Sequence, residues 1–192
     1  MLGYEAVVIG VSAGGFTALS SLLAMVPETF PIPIAIVQHR KSDEHNYLSQ
    51  HLDKICPISV TEAQMNADVE AGHVYLAPAN YHLLIERERQ FSLSVDAAVC
   101  YSTPSIDVLF ESAADTYGNT LIGIILTGAN HDGSNGLQKI RECGGLAIVQ
   151  DPASAEYNVM PQCAIDAAGA DHIFSLDEIG HFLAGIRHGC SH

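Results

Sequence analysis

Four short, almost wholly apolar runs divide this chain: "AVVIG" (6–10), "IAIVQH" (34–39), "LIGIILTG" (121–128) and "LAIVQD" (146–151). Runs of this length that lack polar alternation fit strands buried on both faces. Segments with helical spacing follow them. After the first, Phe16, Leu19, Leu22, Leu23 and Val26 fall on one side of a helix. "SIDVLFESAADTY" repeats the pattern with Ile106, Leu109, Phe110, Ala113 and Tyr117, and "SNGLQKIRECGG" closes on glycines, a common helix stop. "NYLSQHLDK", "PQCAIDAAG" and "DEIGHFLAGI" add helices, and "PISVTEA", "GHVYLAPAN" and "DHIFSL" add strands. Strands that alternate with helices predict a mostly parallel sheet covered on both faces.

One stretch breaks the rhythm. "YHLLIERERQFSLSV" reads as an antiparallel hairpin, with a polar tip at 86–90 between Leu84 and the alternating Phe91, Leu93 and Val95. The expected fold class is therefore α/β: a doubly wound, mostly parallel sheet in three α/β/α layers, with a β-hairpin insertion. With 192 residues and no linker or repeat, one domain is expected over 1–192. Its core spans about 5–186, with a loose tail at 187–192.

Composition excludes several functions. The formal net charge is −14, with only eight Lys and Arg. Nucleic acids and anionic membranes need clustered basic residues, so neither is an expected partner. The five cysteines, Cys56, Cys100, Cys143, Cys163 and Cys190, are odd in number and form no C-x-x-C pair. Free thiols in a reducing cytoplasm fit this count. No signal peptide pattern opens the chain, and no run approaches the ~20 apolar residues of a membrane span. Metal-ligand spacing is absent, and no cofactor is expected.

Ligands of open parallel sheets bind beyond the carboxyl ends of the strands. A chemical residue should therefore directly follow a strand. Ser12 follows the first run in "VVIGVSAGGF", His39 ends the second, and Asp132 lies in "TGANHDG" after "LIGIIL". These are the residue types of a nucleophile, a base and an orienting acid. Their chain order differs from the Ser, Asp/Glu, His order of α/β-hydrolases. His131 and His45 compete for the base, and Asp151, after "LAIVQ", competes for the acid. His73 and His172 precede strands and fall on the other edge. "GVSAGG" also suits a phosphate cradle of backbone N–H groups. However, Ser12 replaces the second glycine of G-x-G-x-x-G, and the second strand ends in "VQHR" without the acid that binds ribose.

Taken together, "GVSAGG", "VQHR", "YLAPANYHLL", "STPSIDVLF", "LTGANHDGSNGL" and "VQDPASAEYNVMPQCAI" resemble the catalytic domain of the chemotaxis receptor methylesterases of CheB type. The resemblance covers about Glu5 to Ile186. It implies hydrolysis of glutamate methyl esters on chemoreceptor-type proteins with release of methanol, and deamidation of receptor glutamine. It implies Ser12 as nucleophile, His39 as base and Asp132 as acid. The positions of Ala13 and Ala129 make their N–H groups the oxyanion-hole candidates. The sequence departs from the family pattern at three places. Ala129–Asn130 stands where Met-Gly is usual, Arg40 replaces an apolar residue or proline, and His131 adds a titratable neighbour. Arg40, Asn130 and His131 are accordingly candidates for touching substrate. The resemblance starts at the catalytic domain, so no receiver domain is expected in this chain; the readings left open are an unregulated stand-alone enzyme, control by a partner in trans, or one segment of a larger fusion protein. The alternative is a non-catalytic relative that binds receptors or nucleotides through the glycine-rich loop.

Overall fold

A computed structural model describes residues 3–40 and 47–187; His45, Cys190, His188 and His192 lie outside the described residues. Seven strands form one sheet in the order β3-β4-β2-β1-β7-β8-β9. They are β1 (Ala6–Val11), β2 (Ile34–Gln38), β3 (Ser59–Glu62), β4 (His73–Leu76), β7 (Leu121–Ile125), β8 (Leu146–Gln150) and β9 (His172–Phe174). Every pairing between neighbours in this sheet is parallel. The other two strands, β5 (His82–Ile85) and β6 (Phe91–Ser94), form the antiparallel hairpin.

The continuous apolar runs follow from burial on both faces. In β1, Ala6 and Val8 join one core, while Val7, Ile9 and Val11 join the other. The first core lies under α3 (Ile106–Tyr117), α4 (Ser134–Glu142), α5 (Val159–Ala168) and the hairpin. The second lies under α1 (Gly15–Leu23), α2 (Tyr47–Ile55) and α6 (Leu176–Ala184). This is the expected three-layer arrangement. The α3 stripe read from the sequence, Ile106, Leu109, Phe110, Ala113 and Tyr117, is buried throughout. Ser175 starts α6 with a capping box: its Oγ accepts the N–H of Glu178, whose carboxylate accepts the Ser175 N–H.

Two apolar positions depart from the simple pattern. Phe16 does not join the α1 core face and is 41% exposed. It sits in the first turn, at the sheet edge, with its ring 5.0 Å from that of His51. Val95 lies beyond β6 and is exposed, while Leu83, Ile85 and Phe91 supply the hairpin's buried side.

The chain runs outward from β1 through β2, then returns to place β7 on the other flank of β1. The β1–β7 pair is thus a topological switch point, where strand-end loops diverge and leave a crevice. Gly10 keeps that crevice narrow. A Cβ there would lie 2.3 Å from Ile106 Cγ2, so only glycine lets the start of α3 approach the end of β1.

Candidate active site

The three strands that carry Ser12, His39 and Asp132 are neighbours: β2, β1 and β7. Val11 pairs with Gln38, and the His39 N–H donates to Val11 O at 3.0 Å. Ser12 and His39 therefore leave adjacent strands side by side. The Ser12 N–H donates to Thr127 O at 3.0 Å, and the Gly15 N–H returns to Ser12 O at 2.9 Å. This tight turn needs Gly14 at φ 77°, a left-handed conformation that glycine adopts without steric cost. Ser12 is half-buried, and among the described residues its Oγ makes no hydrogen bond.

Asp132 is fully buried. His39 Nε2–H donates to its Oδ2 at 2.7 Å. The N–H of Ile106 donates to the same oxygen at 2.7 Å. Ser105 Oγ and the Asp107 N–H donate to Oδ1 at 2.9 and 3.1 Å. Asp132 thus serves as an anion at the start of α3, where unpaired N–H groups and the helix dipole favour negative charge. Burial alone would raise its pKa. The His39 hydrogen bond and the two backbone N–H groups outweigh burial and hold it below the ordinary value,. The carboxylate stays ionised and fixes the proton of His39 on Nε2.

The remaining ring nitrogen has its own partner. Asn130 Nδ2 donates to His39 Nδ1 at 3.1 Å. The Asp132 N–H donates to Asn130 Oδ1 at 3.3 Å, which sets the direction of the amide. Asn130, expected from the sequence to face substrate, thus hydrogen-bonds the His39 ring.

Behind Asp132 lies a second buried carboxylate, Asp107. It accepts the Gly136 N–H at 2.7 Å and Asn135 Nδ2 at 3.4 Å. Burial, and then the charges of Asp132 and Glu111, push it up to about 6 against the pull of the Gly136 N–H. His82, also buried, accepts the Ser105 N–H on Nδ1 at 3.1 Å and faces Ala97 O with Nε2 at 3.3 Å. These supports were not read from the sequence. "SID" at the head of a helical pattern hints at Ser105 and Asp107. Nothing local marks His82, which looks like an ordinary hairpin residue.

Three segments meet beside the Ser12 turn. Thr127 Oγ1 donates to Ala13 O at 2.9 Å and accepts the Tyr157 N–H at 2.9 Å. The Thr127 N–H donates to buried Gln150 Oε1 at 2.9 Å. Among the described residues, neither the Ala13 nor the Ala129 N–H has a hydrogen-bond acceptor.

The other sequence candidates are placed as follows. His131 is exposed, and its carbonyl accepts the Ser134 N–H; His39, not His131, lies against Asp132. Asp151 is used in its own turn, where Oδ1 accepts the Ala153 N–H. Arg40 pairs with Glu62 at 2.7 Å. It lines a cleft of about 310 Å³ with His39, Tyr101, Ser102, Thr103 and Pro104. A larger cleft of about 500 Å³ beside Arg141 and Gly145 opens where β8 begins, on the edge away from these residues. One group of possible metal ligands, Cys100, Asp107 and Asp132, lies within 4.8 Å. Its carboxylates already accept protein donors, and burial followed by the two aspartate charges pushes the Cys100 thiol up.

Fold and site together define a doubly wound α/β protein with Ser12, His39 and Asp132 gathered at its switch point. The family described as CheB methylesterase matches residues 7–183. Over 182 residues the chain is 51% identical to a Leptospira interrogans protein provisionally named protein-glutamate methylesterase/protein-glutamine glutaminase, covering 95% of this chain and 94% of the relative. It is 38% identical to "Protein-glutamate methylesterase FrzG" of Myxococcus xanthus, covering 94% of this chain and 54% of that protein. The CheB methylesterase catalytic domain of Thermotoga maritima superposes with a TM-score of 0.91 at 30% identity, covering 96% of this chain and all of that one. The chain belongs to the CheB methylesterase family.

Proposed function

We propose that this chain hydrolyses glutamate methyl esters on chemoreceptor-type proteins, with Ser12 as nucleophile, His39 as base and Asp132 as orienting acid. The observation that carries this reading is the 2.7 Å contact of His39 Nε2 with Asp132 Oδ2, on the strand adjoining that of Ser12. With Nε2–H committed to Asp132, the proton of Ser12 goes to Nδ1. Ser12 Oγ attacks the ester carbonyl, and the N–H groups of Ala13 and Ala129 hold the oxyanion. His39 returns the proton to the departing methoxide, methanol leaves, and water hydrolyses the acyl-enzyme by the same route. Deamidation of a receptor glutamine follows the same path, with ammonia as leaving group. A regulatory partner acting in trans belongs to the same reading.

Relatives in Myxococcus xanthus and Chromobacterium violaceum are named as protein-glutamate methylesterases, which supports this substrate class. The phosphate-cradle alternative meets an obstacle. Glu156 Oε2 lies 2.9 Å from where a Gly14 Cβ would stand, so a carboxylate flanks the turn that a phosphate would occupy.

Methanol release from a methylated receptor by wild type, Ser12→Ala and His39→Ala tests the proposal. Both variants should lose nearly all turnover. Unchanged release by Ser12→Ala ends the nucleophile assignment. His131 is the base if His131→Ala abolishes release while His39→Ala does not.

A further inference from the structure

The neutral imidazole of His39 has one lone pair, on Nδ1, and the structure gives it to Asn130. The ring does not need this bond for its orientation. Nε2–H is fixed by Asp132, and Asp132 is itself held by Ser105, Ile106 and Asp107. The Asp132 N–H donates to the amide oxygen and so favours the resting orientation that puts Nδ2 on His39 Nδ1. Ser12 Oγ makes no hydrogen bond among the described residues, although it needs the same lone pair to lose its proton.

We propose that Asn130 is a positioning residue that sets the resting state of the base: it occupies His39 Nδ1 until the Ser12 hydroxyl displaces it. The proposal rests on the Ser12–His39–Asp132 reading above. In the resting state the serine is a weak nucleophile. Substrate in the cleft brings the hydroxyl into line, Asn130 Nδ2 releases Nδ1, and the proton passes from Ser12 Oγ to that nitrogen. Among the described residues, the charged and titratable groups near the ring include Asp132 at Nε2, Asp107 behind it, the Cys100 thiol near both carboxylates, and Tyr101 and Arg40 in the cleft His39 lines, with Arg40's partner Glu62. Substitution of Asn130 leaves all of them in place.

A fluorophosphonate reagent tests this without a receptor. Ser12 Oγ bonds to phosphorus, fluoride leaves, and the serine proton goes to His39, so the labelling rate reads how readily the base is available. Asn130→Ala should label about threefold to tenfold faster than wild type at pH 7, the factor that one competing neutral hydrogen bond sustains. Asn130→Asp keeps the shape and can still accept the Asp132 N–H, but it can only accept from Nδ1 and so keeps a proton there. It should label at least about tenfold more slowly at pH 7 and recover as pH rises. Labelling of Asn130→Ala at or below the wild-type rate overturns the proposal, as does Asn130→Asp with a wild-type pH profile. Ser12→Ala should not label in any background. If it labels normally, the nucleophile assignment fails first, a result separate from either Asn130 outcome.

Discussion

Asp132 and Asp107 cap each other's helices. Asp132, two residues before α4, accepts the N–H groups of Ile106 and Asp107 at the start of α3. Asp107, in the first turn of α3, accepts the Gly136 N–H in the first turn of α4. The exchange locks two helix starts together at the end of β7. It holds Asp132, the hydrogen-bond partner of His39, through backbone groups, which cannot rotate away as side chains do.

Asp132→Ala should therefore damage stability as well as activity. It leaves the Ile106 and Asp107 N–H groups and the Ser105 hydroxyl without an acceptor in a dry site. The expected loss is about 2–4 kcal/mol in denaturant unfolding. Asp132→Asn keeps an acceptor oxygen and should fold better. Its turnover loss should be smaller than that of His39→Ala, because it orients and supports the imidazole but does not carry the proton.

Asp107 gives the protein a specific pH dependence. Its carboxyl is raised from 3.8 to about 6, so the folded state binds the proton more tightly than the unfolded chain. This group contributes nothing below about pH 4, and its ionisation destabilises the fold progressively as pH climbs to about 6. The full effect is roughly 3 kcal/mol. In Asp107→Asn, the part of the stability slope between about pH 4 and 6 that falls with rising pH should disappear. Urea unfolding across that range, for wild type beside Asp107→Asn, measures it. Asp132 acts in the opposite sense: with its value lowered, its stabilisation is present above the unfolded value and is lost only in stronger acid.

Ser105→Ala removes the hydroxyl donor from Asp132 Oδ1 while leaving the Asp107 N–H on that oxygen and the Ile106 N–H on Oδ2. Turnover should fall by about threefold to tenfold. KM should stay close to that of wild type, since Ser105 is buried and touches Asp132 rather than substrate. A KM effect larger than the kcat effect would contradict this role.

Gly10→Ala tests whether the narrow crevice matters. The added methyl would meet Ile106 Cγ2 at 2.3 Å and force the start of α3 outward. That shift would move the Ile106 N–H off Asp132. A stability loss of about 1–3 kcal/mol is expected, together with a fall in the fluorophosphonate labelling rate of Ser12. Lost stability with unchanged labelling would show that α3 yields without disturbing the acid.

The sequence determined the layers and the edge. Buried runs alternating with helical stripes dictate a parallel sheet, because strands wet on neither face must be covered on both. Following each run to its end was enough to reach Ser12, His39 and Asp132. What surrounds them came only with the tertiary structure. Asp132 meets Ser105 across 27 positions and His39 across 93, and such partners depend on which strands and helices become neighbours. Asn130 shows the difference most clearly. In the sequence it was a polar residue two positions before Asp132, with substrate as its expected partner. The loop after β7 turns its amide onto His39 Nδ1 instead, because the β2-β1-β7 order brings those two strand ends to one crevice. Apolar periodicity carries the information for burial, which is local. The hydrogen bonds of a buried site are settled by geometry between distant segments.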